Sequence, residues 1–370
     1  MQGETPGGGT VTVLLHVFPS FSFGGQQARL AMLARGLGPS FRHVVVSLDG
    51  DLGACALFDE TVSATFESVA LKKSSSVSPV NIWRLARLIR RVKPDILCTY
   101  NWGAIEAVVA RKFTPRIPHI HFEDGFGPDE TIERQHERRI KARRLLLRNT
   151  LVAVPSRTLE NAAREAWRLK CVRRLENGVD FDSLQRGRRG AGAAMIVGSV
   201  GALRPEKNYG RLIAAFRAAD KDARARLEIV GAGPELEALR KAASGDPRIS
   251  LPGPTAQVAD IYAHFDIFAL SSDTEQAPIS MMEAMAAGLP VVATNVGDIA
   301  DMTSTENLPF ITPPGDDEAY ACALARMLQD PSSRAAIGAA NRRKAREAFS
   351  RERMIEAYRR LFDEARGRNG

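Results

Sequence analysis

The sequence predicts an α/β protein built as two successive domains, each around a parallel sheet. Three observations carry that expectation. Short β-branched runs alternate with longer segments of helical period from residue 11 onward; the alternation breaks once at a glycine- and arginine-rich stretch; and it then resumes on the same scheme. At 370 residues the chain is too long for one ordinary domain and comfortable for two, and 44% hydrophobic residues are enough for a core in each.

In the first half strands are expected near 11–18, 43–48, 95–100, 118–122 and 151–155, with helices in the gaps. The break is the stretch 186–192, RGRRGAG, where or slightly before which the linker is placed. In the second half strands are expected near 196–200, 227–230, 267–270, 290–293 and 308–311. After residue 330 the chain turns helical to its end, with Met354, Ala357, Tyr358, Leu361 and Phe362 spaced for one apolar face. The expected division is a domain over 10–178, a second over 179–348, and a helix over 349–370 packing back on the first.

Cys55, Cys98, Cys171 and Cys322 lie far apart with no CxxC pair, which speaks against a secreted disulfide scaffold and for a reducing, cytoplasmic setting. Residues 1–9 are polar and glycine-rich, without the basic start and apolar core of a secretory signal. No window reaches the roughly 18 to 20 apolar residues of a membrane span; even 281–294 contains Glu283. The net charge of +8 and pI near 9.5 suggest an anionic partner without choosing among nucleotides, lipid headgroups and nucleic acids.

The most informative stretch is 271–298, SSDTEQAPISMMEAMAAGLPVVATNVGD, read as loop, helix, glycine turn, buried strand and second loop. Pro278 suits a first helical turn, and the N–H groups of Ile279 and Ser280 are then available to an anion. Glu275 and Glu283 stand on either side of that start, with seven residues between them, and carboxylates are good acceptors for paired hydroxyls. The segment thus suits reading a hexose through Glu275, a diphosphate at the helix start and a ribose through Glu283. The plainer reading, two solvated glutamates, is the more natural one for either residue alone.

Upstream, 199–208 (SVGALRPEKN) ends a strand and opens a helix, placing Arg204 and Lys207 where two cations close on a diphosphate. Cations at a helix start oppose the macrodipole, so the pair hints at an anionic ligand. Gly231, Gly233 and Pro234 in IVGAGPELEAL resemble a truncated dinucleotide fingerprint, with Leu236 at the third glycine's place, and keep a nicotinamide-dependent oxidoreductase among the alternatives.

The segment 271–298 resembles the Glu-x7-Glu signature of retaining GT-B glycosyltransferases of glycosyltransferase family 4, the large family that includes sucrose synthase-like and bacterial cell-envelope enzymes. The resemblance implies a GT-B fold: two Rossmann-like domains facing across a cleft, the first binding acceptor, the second binding a nucleotide-sugar donor, with a C-terminal helix crossing back to the N-terminal domain. It implies donor-sugar contact for Glu275 and ribose contact for Glu283. It also implies a base- and phosphate-lining loop at Gly231 and Gly233, and a hinge at 177–180 (NGVD). Ala202 stands where the family has an arginine, leaving Arg204 as its substitute beside Lys207, and Gln276 stands where it often has glycine.

In the first half, 18–25 (FPSFSFGG) follows a strand and precedes a helix expected to begin near Gln26; Gly24 and Gly25 let backbone N–H groups approach phosphate. In the run 118–127, PHIHFEDGFG, His119, His121 and Glu123 alternate on one face, and a metal triad there lacks a fourth ligand. Family members carry a histidine near the reacting sugar where this chain has Asp124, so Asp124, Glu123 and His121 are the candidates for positioning the acceptor hydroxyl or supporting positive charge on the sugar. Asp49 and Asp51 satisfy an Asp-x-Asp metal pattern literally but read as a turn, and no metal is expected. The basic run 131–149 is a candidate contact for anionic membrane, with Lys72 and Lys73, or a solvated helix face with its leucines in the core.

The function these readings imply is transfer of a hexose-type sugar, with retention, from a UDP- or GDP-sugar to a hydroxyl of a glycan or lipid-linked acceptor. No cofactor and no nucleic-acid partner are expected. Besides the oxidoreductase, the alternatives are an epimerase or phosphorylase of the same fold and a non-catalytic nucleotide-sugar sensor.

Overall fold

The structure is a computed structural model describing residues 11–69, 71, 78–126, 130–132, 134–184, 194–222, 224–255 and 257–367. The linker stretch 186–192 and the basic pair Lys72 and Lys73 lie outside the described residues. The chain divides into two compact units, one of residues 1–175 with 354–370, the other of residues 176–353.

The first unit runs β1 (Thr12–Phe18), α1 (Gly25–Leu37), β2 (Phe41–Ser47), β3 (Ala64–Ser68), α2 (Pro79–Val92), β4 (Ile96–Tyr100), α3 (Ile105–Ala110), β5 (His119–Phe122), α4 (Glu137–Leu146), β6 (Leu151–Val154), α5 (Arg157–Glu165) and β7 (Val172–Arg174). Among the described residues these strands form one parallel sheet in the order β3-β2-β1-β4-β5-β6-β7. Strands β4, β5 and β6 are buried along their whole length; β6 (LVAV) reads as an unbroken apolar run, whereas β4 (ILCTY) and β5 (HIHF) carry polar side chains into the interior. Strands β3 and β7 were not expected: β3 (ATFES) is an edge strand that is nowhere fully buried, and β7 is three residues long, so neither writes a strong pattern.

The second unit runs β8 (Met195–Val200), α6 (Tyr209–Ala219), β9 (Ala225–Val230), α7 (Leu236–Ala243), β10 (Ile249–Gly253), α8 (Val258–His264), β11 (Ile267–Leu270), α9 (Ile279–Ala286), β12 (Val291–Thr294), α10 (Ile299–Met302), β13 (Ile311–Thr312), α11 (Asp317–Gln329) and α12 (Pro331–Ala348). Its parallel sheet has the order β10-β9-β8-β11-β12-β13. The strand expected at 308–311 is instead a 3-10 turn, Thr305–Phe310, followed by the two-residue β13, because Pro309 has no N–H to give a ladder. Strand β10 was also unexpected; it is an edge strand interrupted by Pro252.

The last helix, α13 (Arg351–Gly367), contributes Met354, Tyr358, Leu361, Phe362 and Ala365 to the core of the first unit. It docks on a ring stack laid across the carboxyl ends of three strands. Phe18 and Tyr100 are stacked at 3.7 Å, Tyr100 and Phe122 at 5.0 Å, and Phe122 and Tyr358 at 5.7 Å. Each buried side chain of this size contributes about 2 kcal/mol, so the helix is part of the fold of this unit.

Below the stack lies a chain of buried histidines. His16 bonds the Tyr100 hydroxyl at 2.9 Å and His43 at 3.1 Å, and Thr99 joins His119 at 2.9 Å to His121 at 2.8 Å. Burial pushes His43 down to about 4, and burial, with His43 second, holds His16 well below its usual 6.5. A histidine neutral when folded and free to charge when unfolded loses stability as pH falls from about 6.5 toward the folded value. We therefore expect the first unit to weaken between pH 6.5 and 5, before ordinary carboxylates titrate, by about 2 kcal/mol at most for His43 alone. Hydrogen exchange of β1 and β4 amides measures this; protection unchanged over that range would refute it.

Candidate active site

In the second unit the loops after β8 and β11 are tied together at the carboxyl edge of the sheet. Ser271 Oγ lies 3.0 Å from the carbonyls of both Lys207 and Asn208, and the N–H of Asp273 donates to the carbonyl of Glu206 at 2.8 Å. This brings Lys207 Nζ onto Glu275 Oε1, and Ser272 Oγ donates to the same oxygen at 2.9 Å. Lys207 and Glu275 are 20% and 10% exposed, reachable but not freely solvated. Arg204 is different: its side chain is 53% exposed and its nearest acid is Glu206 at 4.0 Å.

Glu283 sits on α9, whose N-cap is Pro278 and whose first turn holds no acid. The helix itself offers no acceptor to the N–H groups of Ile279 and Ser280, so its positive end is uncompensated there. The Tyr262 hydroxyl, from α8, lies 2.9 Å from both Glu283 Oε2 and the carbonyl of Ser280. Burial, partly relieved by that hydroxyl, pushes the Glu283 carboxyl up to about 7, although the residue keeps some exposure. Sequence reading missed Tyr262; nothing in the short helix VADIYAH marks it.

Glycines explain how the loops come so close. Gly297 has φ +60, and a Cβ there would stand 2.3 Å from the carbonyl oxygen of Glu275. A Cβ on Gly231 (φ +157) would meet the carbonyl oxygen of Gly201 at 1.8 Å, and one on Gly233 that of Leu203 at 2.3 Å. The loops after β8 and β9 run side by side, with Gly201 N–H donating to Val230 at 3.0 Å and Leu203 N–H to Ala232 at 2.9 Å. The immediate reason for Gly231 and Gly233 is therefore backbone packing.

In the first unit the polar cluster lies at the carboxyl ends of β4 and β5. Asp124 accepts two bonds from the buried Arg29, one of them at 2.8 Å, and a third from Gln26 Nε2. Its own N–H donates to Asn101 Oδ1 at 2.8 Å, and Asn101 Nδ2 donates to Gln26 Oε1 at 3.2 Å. Burial opposes the charge on Arg29, but Asp124 more than offsets it, and the guanidinium pKa is raised. Gly24 caps the start of α1, one turn before this arginine, in extended conformation, and Gly25 is its first residue. Arg29 was not anticipated; the signal was a lone arginine in the apolar face of GQQARLAMLARGL.

His121 and Glu123 are interior groups, 0% and 1% exposed. His121 is held by Thr99 and stands 3.4 Å from Glu123, which stands 3.5 Å from Arg143. Of the three candidates in this run only Asp124 reaches the surface: His121 on β5 and Glu123 just after it turn inward, Glu123 beneath Arg143. The basic run 131–149 departs from a uniformly solvated basic face at one arginine. Its helix, α4, covers only Glu137–Leu146, and Arg143 points inward, 1% exposed, over Trp167 at 4.7 Å and Trp102 at 5.2 Å and beside Glu130 at 3.3 Å. Leu145 is exposed, 72%. Ile140, Leu146 and Leu147 do pack into the core, and Arg138, Lys141 and Arg148 are exposed, so the reading of a solvated face holds except at Arg143 and Leu145.

Asp49 and Asp51 serve a turn, accepting the N–H groups of Asp51 at 2.9 Å and Gly53 at 2.8 Å. Among the described residues no group of three or more histidine, cysteine or acidic side chains is placed to hold a metal, and no helix is long and apolar enough to cross a membrane.

Two parallel Rossmann-like sheets in succession, of seven and six strands with helices between, make this a GT-B fold. The model for "Glycosyltransferase Family 4" matches residues 23–183 and that for "Glycosyl transferases group 1" matches residues 194–330. The first half thus carries a glycosyltransferase family 4 domain and the second a glycosyl transferases group 1 domain. It is similar to the lipopolysaccharide core biosynthesis glycosyltransferase LpsD of Rhizobium meliloti, 22% identical over 76% of this chain and 78% of that protein. It is 35% identical to the sulfoquinovosyl transferase SQD2 of Arabidopsis thaliana over 33% of this chain and 25% of that protein. The matched stretches span 25%, 42% and 50% of three of the curated relatives. Among solved structures, Anabaena Alr3699/HepE in complex with UDP-glucose aligns at TM-score 0.79 with 17% identity, over 95% of this chain and 99% of that one. Sucrose-phosphate synthase from Thermosynechococcus elongatus aligns at 0.77 with 18% identity, over 95% and 100%.

Proposed function

We propose that this chain is a retaining, metal-independent hexosyltransferase that moves a sugar from a UDP- or GDP-sugar to a hydroxyl of a glycan or lipid-linked acceptor, in cell-envelope polysaccharide or glycolipid assembly. The reading draws on the lipopolysaccharide role in one relative's name and the GDP-mannose dependence in another's, and on the UDP-glucose held by a protein of the same fold. The observation that carries it is the meeting of Lys207 and Glu275 at one sheet edge, with Glu283 on the helix that follows.

In this reading the departing diphosphate is stabilised by Lys207, by Arg204 swinging in from solvent, and by the N–H groups of Ile279 and Ser280. Taking up a diphosphate draws Lys207 from Glu275, whose carboxylate turns to the donor hydroxyls with Ser272 still bound to it. Glu283 accepts the ribose hydroxyls. On the acceptor side this reading gives Asp124, held by Arg29, Gln26 and Asn101, the role of orienting the incoming hydroxyl.

The test is a panel of nucleoside-diphosphate sugars, read first by thermal stabilisation and then by release of nucleoside diphosphate with and without a glycan acceptor. A donor at about 100 times its Kd should stabilise by about 2.7 kcal/mol, and release should require acceptor. Product released equally without acceptor, or stabilisation by nicotinamide dinucleotide alone, would count against transfer.

A further inference from the structure

Opposite the edge that carries Asp124, the seven-stranded sheet holds a second feature that neither the fold nor the proposed transfer uses. Strands β5 and β6 begin there at His119 and Leu151. A cavity of about 420 Å³ opens beside them, lined by Arg111, Lys112, Thr114, Arg116 and Asn149. No carboxylate lines it, and among the described residues none of the three cations pairs with an acid.

The acids of this edge are engaged elsewhere. Asp95 accepts the N–H of Val13 at 2.7 Å, and Glu364, the neighbour of the lining residue Ala365, takes the Arg173 guanidinium at 2.7 and 3.1 Å. Arg111 is anchored by its Nε to the carbonyl of Ile117 at 2.8 Å, while burial, then Arg116, lowers its pKa. The fold therefore holds like charges together at a cost, and a multiply charged anion removes that cost.

We propose that this cavity binds the phosphate group of a ligand. A fixed guanidinium, a second one on the exposed Arg116 and the Lys112 ammonium belong to the lining of one cavity, three cations that suit a doubly charged phosphate better than a singly charged carboxylate. Thr114 and Asn149 add neutral polar groups at the wall. A phosphate of this kind comes from a soluble phosphate ester or from an anionic lipid headgroup. Phe113, 59% exposed between Lys112 and Thr114, is the side chain that a lipid surface would cover and a soluble ester would leave in water.

The experiment is amine labelling of Lys112, followed peptide by peptide by mass spectrometry, so that anion binding elsewhere does not enter the readout. Inorganic pyrophosphate should slow labelling at least about threefold against sodium chloride of equal ionic strength, and the exposed-site variant Arg116→Ser should lose that protection. Protection by phosphatidylglycerol vesicles, and not by phosphatidylcholine vesicles or pyrophosphate, supports the site with a headgroup as the source. Labelling unchanged by either probe, or equal protection in Arg116→Ser, overturns the proposal.

Discussion

Replacing Lys207 by alanine is expected to lower kcat for sugar transfer by about 10² to 10³, the loss typical of removing one preorganised donor from a developing negative charge. The side chain is partly exposed and Glu275 keeps its bond from Ser272, so the ligand-free fold should survive the change. The decisive comparison is kcat against thermal midpoint. A variant that unfolds at nearly the wild-type temperature and turns over within about threefold of wild type would remove Lys207 from the chemistry.

Glu283→Gln should weaken donor binding by about 10², since a carboxylate accepting two ribose hydroxyls is replaced by a group with one acceptor oxygen. The wild type should also show a pH signature that the variant lacks. With its carboxyl at about 7, the acceptor form is depleted below that value, and donor Kd should rise about tenfold from pH 8 to pH 6. Stability runs the other way. A carboxyl whose folded pKa is raised contributes stability that is complete below 4.5 and lost as pH rises through about 7. At pH 8 the ligand-free glutamine variant should therefore be more stable than wild type, on the order of 1 to 2 kcal/mol after allowance for its residual exposure. Isothermal titration and denaturant midpoints at pH 6 and pH 8 check both halves; a pH-independent wild-type Kd would sink the assignment.

The two predictions differ in how much of their basis could be read without a structure. Glu275 and Glu283 lie in one loop and helix, so their spacing is local and their residue types already suggest hydroxyl recognition. The raised pKa of Glu283 was not legible, because it depends on burial and on Tyr262, which arrives from α8. Likewise Lys207 could be placed at a helix start, but its contact with Glu275 follows from two loops of a parallel sheet being laced by Ser271 and Asp273.

The run from His119 to Asp124 shows the opposite case. Alternation along a strand suggested a polar face at the mouth of a site, whereas His121 and Glu123 belong to an interior network that ends on Arg143. A buried arginine beside two tryptophans cannot be told from a solvated one by the residues around it in the chain. Asp124 is similar: its partner Arg29 is 95 residues away, and only the packing of α1 against the ends of β4 and β5 brings the two together.

By itself the sequence determined the class of architecture, the positions of the central strands along the chain, the two-unit plan and the acidic spacing of the second unit. Each of these is written in neighbouring residues, through continuous burial of central strands or a fixed step along one helix. Tertiary structure alone decided the edge strands, the inward turn of Arg143, the Arg29–Asp124 pair and the protonation of Glu283 and the buried histidines. Those depend on which distant groups share a dry interior, where desolvation and pairing outweigh local preference.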